Sequence, residues 1–426
     1  MCATAALVLT ACSNDSDVAV NDVSQQAQSN AVLFDTYTSS ATRAGAAGVM
    51  TTTSLQTSGF GVFATYSDGA DYSSATATPN FMYNQPVTYS SSAWTYSPLK
   101  YWPNETVNDS QSPAATGPTG VTTADKLSFF AYAPYVTKAA AEADASSGTG
   151  IIGMSANNYT GDPTISYKVA PLPENSVDLL WGVAPAGDLS YTPVSGLPVL
   201  TVPAGEPLVN LVKPDKDQKI KFLFKHALSR IGLKVVGAFD QIAAGGSKDA
   251  NTKITVDQIE ISGPLGLTGD LILKNASPGV ANWTNVIPAA SDPVFTIANG
   301  VLNTTIKDEG AVAFGSQPEG VTASEKNVFA DATKYFMVIP TGPTNITVKI
   351  KYYVQTIDAN LAVTGSVDGS RVENVITKTI PVNLQNNKAY NLKLILGMTS
   401  VKLDAEVADW EVDGSTEVYL PQNTAE

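Results

Sequence analysis

The sequence predicts an all-β chain built as two tandem antiparallel β-sandwiches of Greek-key type. Three observations predict it. Short aromatic and β-branched runs recur along the chain, each stopped by Gly, Pro, Ser or Asn. Residues 346–352 alternate apolar with polar side chains, the pattern of a sheet with one wet face. A proline-rich stretch, with Pro185, Pro193, Pro198, Pro203, Pro207 and Pro214, divides the chain into halves that each hold enough strands for a sandwich.

Composition narrows the class. With 426 residues, 43% hydrophobic and 15% charged, the chain can bury sizeable cores. Its net charge of -14 disfavours nucleic acid, whose phosphates demand a basic surface. The two cysteines, Cys2 and Cys12, stand at the start, so the body has neither thiol nor disulfide and its stability rests on burial. One histidine, His226, and no body cysteine make a zinc, copper or haem site improbable, and no cofactor is expected.

The chain opens on a short apolar run, residues 3–9, too short to span a membrane and placed like the end of a signal peptide. It lacks a basic region, which reads as a start site lying upstream of Met1. Leu9-Thr10-Ala11-Cys12 resembles a bacterial lipobox, so residues 1–12 read as a lipoprotein signal with Cys12 as the lipidation site. The polar residues 13–30 read as a flexible arm, and 31–37 as a short strand. Thr38 to Gly48 is small and polar around Arg43, which on spacing alone reads as a solvated loop residue.

The first unit, expected over 44–210, opens with the strand run 60–66 and continues through 81–89, 94–98 and 127–135. Ala139 to Ala145 is its one local helix candidate. Aromatic density over 81–135 supports two readings: core packing, or stacking of Trp94 and Trp102 on sugar rings. The second unit, expected over 211–410, opens with one long run over 220–235, in which Phe222, Phe224 and His226 share a face. Strands are expected at 254–261, 271–274, 335–340, 346–354, 375–382, 390–396 and 401–410. The tail 411–426 continues the strand pattern, with Thr416, Val418 and Leu420 on one face, or else is a frayed terminus.

No enzyme constellation is present. His226 lies in a strand-like run with no G-x-S-x-G turn, and it reads as a half-buried, satisfied histidine. Gly59-Phe60-Gly61 lacks the strand–loop–helix setting of a phosphate loop, no D-x-D-x-D-G calcium loop exists, and the scattered carboxylates nominate no glycosidase pair. The chain therefore reads as a non-enzyme.

Several motifs in order resemble the fimbrillin family, the type V pilins of Bacteroidales. They are the lipobox at Cys12, the Thr42-Arg43-Ala44 step, Phe60-Gly61-Val62-Phe63-Ala64, W-x-Y-x-P-x-K-Y-W-P at 94–103 and L-S-F-F-A-Y-A-P at 127–134. F-K-H-A-L-S-R-I at 224–231, F-M-V-I-P at 336–340, K-A-Y-N-L-K-L-I-L-G at 388–397 and V-A-D-W at 407–410 complete the series. The resemblance implies two transthyretin-like sandwiches and a surface-exposed lipoprotein of the cell outer membrane. The acidic residues after Cys12 are similar to surface-export signals. It also implies cleavage between Arg43 and Ala44 by an arginine-specific protease. The leader, 13–43, would carry a removable strand formed by Val32, Leu33, Phe34 and Tyr37. A donor strand with Val412, Thr416, Val418 and Leu420 would insert into a neighbouring subunit. The implied partners are other pilin subunits, the implied role is adhesion from a fimbrium, and stalk, tip and anchor remain open. The rival reading is a non-polymerising surface lipoprotein that binds glycans through the 81–135 aromatics.

Overall fold

A computed structural model of the chain describes residues 31–38, 49–103, 125–143, 145, 148–172, 175–185, 189–191, 200–214, 218–237, 252–289, 294–298, 305–307, 326–327, 335–357, 360–361, 369–396 and 401–409. Strand β1 is Phe34–Thr38. After a helix, Thr52–Ser58, come β2 (Phe60–Ser67), β3 (Met82–Ser90), β4 (Ala93–Thr95) and β5 (Lys126–Ala133). A second helix, Lys138–Ala143, precedes β6 (Gly150–Met154), β7 (Thr164–Lys168), β8 (Leu180–Val183), β9 (Leu189–Tyr191), β10 (Leu200–Val202) and β11 (Leu208–Leu211). Then follow β12 (Ile220–His226), β13 (Ser229–Gly237), β14 (Thr252–Ser262), β15 (Gly266–Ser277), β16 (Val280–Pro288), β17 (Phe295–Ala298), β18 (Thr305–Lys307) and β19 (Lys326–Asn327). The last are β20 (Phe336–Val338), β21 (Gly342–Ile357), β22 (Gly369–Leu384), β23 (Lys388–Leu396) and β24 (Val401–Asp409). The chain is all-β, as its sequence predicts.

The first sheet runs β1-β12-β8-β5-β2-β3-β4, with β11 also on β5. Its central strands are apolar without alternation because both faces are covered. In β2, Phe60, Val62 and Ala64 enter one core while Phe63 enters the other; in β5, Phe129 and Ala131 oppose Phe130 and Tyr132 in the same way. Strands this crowded need gaps. A Cβ on Gly61 would lie 2.3 Å from the Tyr132 ring, and one on Gly182 would lie 2.6 Å from the Phe222 ring.

One core lies inside the curl of this sheet and is dominated by aromatics: Phe34, Phe60, Trp94, Trp102, Phe129, Phe222 and Phe224. The other core is larger and continues into the second half of the chain. There β13, β23 and β24, joined by β19 and β20, face β14, β21 and β22, joined by β17 and β18. The Phe295 and Phe336 rings stack at 4.3 Å between these two sheets. Along β21, Ile346, Val348, Ile350 and Tyr352 point inward, so the expected wet-face alternation holds. On the wet face Lys349 pairs with Glu260 at 2.9 Å and Lys351 with Glu373 at 3.2 Å.

A fourth sheet, β16-β15-β7-β6, is drawn from both halves of the sequence. Thr268–Ile272 of β15 pair antiparallel with Thr164–Lys168 of β7.

Three local expectations change. The run 220–235 is two strands, not one. β12 joins the first sheet through β8 and β1, and β13 joins the second unit, with the break at Ala227 and Leu228. The helix Thr52–Ser58 went unforeseen. It starts in a reciprocal cap, with Ser54 N–H donating to Thr51 Oγ1 at 3.2 Å and Thr51 N–H to Ser54 Oγ at 2.6 Å. The helix expected at 139–145 forms one residue earlier and ends at Ala143.

Candidate functional site

The site grows from β1. It pairs in parallel with β12 over five positions, Phe34 with Ile220 through Thr38 with Phe224. Every other pairing in the first sheet is antiparallel. Parallel neighbours cannot be joined by a hairpin, so β1 is a separate stave inserted from elsewhere in the chain. Its other side is closed by a different wall. Ala31 bridges Tyr101 in antiparallel fashion, and Val32 N–H donates to Lys100 O at 2.9 Å. Residues 31–38 thus span the gap between β12 and residues 100–101 and close the sheet on itself.

Side chains fill the gap as backbone closes it. Val32 is fully buried and Phe34 is 2% exposed. The Phe34 ring meets Phe60, Tyr96, Phe129 and Phe222 at centroid distances of 5.4–6.1 Å in stacked, tilted and edge geometries. Each residue contributes about 1.5–3 kcal/mol by leaving water. Further along, the strand turns polar. Thr36 donates through Oγ1 to Phe222 O at 3.1 Å, and Thr38 Oγ1 lies 2.8 Å from Thr52 Oγ1 at the start of the first helix. The inward row is therefore apolar, apolar, hydroxyl, hydroxyl at every second residue.

Tyr96 latches the segment. Its hydroxyl donates to Val32 O at 2.7 Å while accepting Lys100 N–H at 3.2 Å. Burial pushes this phenol up to about 12. A second anchor holds the chain further on, at Met50. Met50 N–H donates to Asp178 Oδ2 at 2.9 Å, and His226 Nδ1 lies 2.6 Å from the same oxygen. Asp178 is fully buried and His226 is 3% exposed, so the half-buried histidine expected from sequence is wholly interior. Its partner is a carboxylate that spacing alone does not reveal.

Of the expected leader-strand residues, Val32 and Phe34 point into the groove, Leu33 is half-buried on the flanking side, and the backbone of Tyr37 completes the pairing with Leu223. Sequence reasoning missed Thr36, Thr38, Tyr96 and the Lys100–Tyr101 wall. The Y-x-x-x-K step inside the 94–103 motif was their only signal. Cys12, Arg43 and Ala44, and the donor residues Val412, Thr416, Val418 and Leu420, lie outside the described residues. The tryptophans considered for sugar stacking turn inward: Trp94 is 8% exposed beside Phe60, and Trp102 is 6% exposed beside Phe129. Their faces are spent on the core, which favours packing over sugar stacking. Among the described residues no helix is long and apolar enough to cross a membrane, and no group of three or more His, Cys, Asp or Glu could hold a metal ion.

No protein-family model matches the chain. A fimbrium subunit, Fim1C of Phocaeicola vulgatus, is 36% identical over 140 residues, 32% of this chain and 30% of that protein. The match thus spans less than a third of the curated relative. A crystal structure of a fimbrial protein from Bacteroides vulgatus superimposes with a TM-score of 0.57 at 22% identity, covering 89% of this chain and 99% of that one. The resemblance is to Bacteroidales fimbrial proteins. The superposition extends over nearly the whole chain. Sequence identity to the fimbrium subunit agrees with the motif series read along the chain.

Proposed function

We propose that the chain is a structural subunit of a cell-surface pilus, with adhesion as its cellular role, and that it has no catalytic function. In this reading it is exported as a lipoprotein anchored in the outer membrane through Cys12. An arginine-specific protease then cuts between Arg43 and Ala44, and the leader leaves with its strand. The tail 411–426, through Val412, Thr416, Val418 and Leu420, fills the same groove in a neighbouring subunit. Two transthyretin-like sandwiches of Greek-key type carry the groove and the donor. The first is the unit begun at 44–210, whose sheet takes up β12, and the second lies within 211–410.

The observation that carries the reading is the position of β1. It is a lone parallel stave between two walls that do not pair with each other, and it plugs an aromatic core. Its loss would leave an unpaired edge along β12 and an open apolar slot, a surface that a second strand can fill by main-chain pairing and alternate side chains. Donation from one molecule to the next is heterologous, so it extends as a filament and does not close.

Arginine-specific proteolysis of the purified full-length chain tests this. The expected product begins at Ala44 and gives a ladder of SDS-resistant oligomers, and deletion of 411–426 abolishes the ladder. A stable monomer under every cleavage condition would defeat the assembly reading.

A further inference from the structure

Strand β22 is the outer strand of its sheet, and among the described residues no strand pairs with its far side. It pairs with β21 at every residue, from Gly369 with Ile357 to Leu384 with Gly342, without a bulge. Pro381 fixes which groups are left over. Proline has no N–H, so in an unbroken ladder the Pro381 nitrogen faces away from β21. Antiparallel partners alternate between bonded and unbonded pairs, so every second residue shares that orientation. Arg371, Glu373, Val375, Thr377 and Thr379 therefore turn their N–H and C=O groups to the open edge.

The usual guards against edge pairing are missing here. The strand is 16 residues long, and the polar side chains of its outer row lean back over its own sheet. The Arg371 guanidinium lies 3.6 Å from the Tyr353 ring centroid. Glu373 accepts the Tyr353 hydroxyl at 2.8 Å and pairs with Lys351 at 3.2 Å. Thr379 Oγ1 lies 2.9 Å from Thr347 Oγ1. Between them Val375 is 51% exposed, and Val372 on the other face is 56% exposed. The chain carries a net charge of -14, yet residues 371–379 set Arg371 and Lys378 against Glu373 alone. Two copies that repel over most of their acidic surface can approach along this edge.

The occupant that fits the edge is its own copy. Val375 stands midway between Gly369, where the strand begins, and Pro381, which has no donor to offer. A two-fold axis at Val375 sets Val375 against Val375, Glu373 against Thr377 and Arg371 against Thr379. No like charges meet in that register, and each Pro381 falls opposite the other strand's first residue. We propose that β22 pairs antiparallel with β22 of a second copy, joining two sheets edge to edge through about ten main-chain hydrogen bonds. The contact is isologous, so it closes at two chains. It uses neither the β1 groove nor the tail, so it holds for the uncut chain whether or not subunits exchange strands. In a filament it would tie subunits side by side and not end to end.

Sedimentation velocity on the purified, uncut chain tests the proposal. A dimer is expected with a Kd on the order of 10–100 µM, the weak range for so narrow a contact. Val375→Pro removes the two central donors and leaves the ladder to β21 whole, and Thr377→Glu sets a carboxylate against Glu373 twice. Each should weaken dimerisation at least about tenfold while melting stays unchanged. Ile287→Lys, on the exposed edge strand β16, should leave the dimer intact. Cross-linking in a chain carrying Cys2→Ser and Cys12→Ser reads the register. The Val375→Cys variant should cross-link on mild oxidation, because its two copies lie about 5.5 Å apart, Cα to Cα, within disulfide reach. Thr379→Cys, placed opposite Arg371, should not. A monomer at about 500 µM overturns the proposal. So does association indifferent to Val375→Pro, or equal cross-linking by the two cysteine variants.

Discussion

Phe34 concentrates the energetics of β1 in one side chain. Its ring touches aromatics from β2, β5, β12 and the segment after β4, so truncation leaves a cavity that four rings cannot collapse into. Phe34→Ala should destabilise the uncut chain by about 3–5 kcal/mol in urea unfolding. The same substitution should leave the chain beginning at Ala44 unaffected, since the residue is gone. Tyr96 gives the seating of residues 31–38 a pH dependence. Burial raises its folded pKa from the ordinary 10.0 to about 12, so the neutral phenol stabilises the fold fully below pH 10. That contribution is lost as pH rises from 10 through 12, when the phenolate can no longer donate to Val32 O. Hydrogen exchange of residues 31–38 should accelerate over that window, and Tyr96→Phe should flatten the rise. At Asp178, substitution by Ala would orphan the Met50 N–H and the His226 ring nitrogen. The expected cost is about 1–3 kcal/mol for each buried group left unmatched, read as a lower melting temperature.

At the scale of elements, β21 and β22 differ in what they cover. The inner row of β21 is buried throughout, whereas Val372 and Val375 of β22 are more than half exposed on an edge strand of 16 residues. Val375→Lys should leave melting unchanged and reduce aggregation on heating, measured by light scattering, because a charge blunts an open edge. The alternation of 346–352 was legible because one face is wet. The runs of β2 and β5 were legible as strands, whereas the covering of both their faces shows only in the structure, where neighbouring side chains enter opposite cores. Other elements left weaker traces. The helix Thr52–Ser58 buries a single side chain, Leu55, so it shows no apolar period and only its cap carries a signal. The break between β12 and β13 falls inside an unbroken apolar stretch, where Ala227 and Leu228 are buried like their neighbours. Nothing local marks it, because the change of sheet is decided by partners far along the chain.

On the scale of the molecule, those distant partners bind the halves together. β15 and β16 complete a sheet begun by β6 and β7, and one apolar core runs from Val49 to Leu396. Fragments 44–210 and 211–410, produced separately, should therefore each fail to unfold cooperatively, while the full chain should show coupled melting by calorimetry. The groove depends on the same long-range logic, since its two walls and its filler were visible in sequence only as unrelated runs. That arrangement also sets a schedule. Thr36 leaves the ribosome 186 residues ahead of Phe222, whose carbonyl it binds. At ordinary rates of synthesis the opening stave waits on the order of 10–40 s for its neighbour to be made. The first core is thus sealed by the earliest segment and a late one together, so a nascent chain stalled short of residue 220 holds the plug but has no socket to put it in.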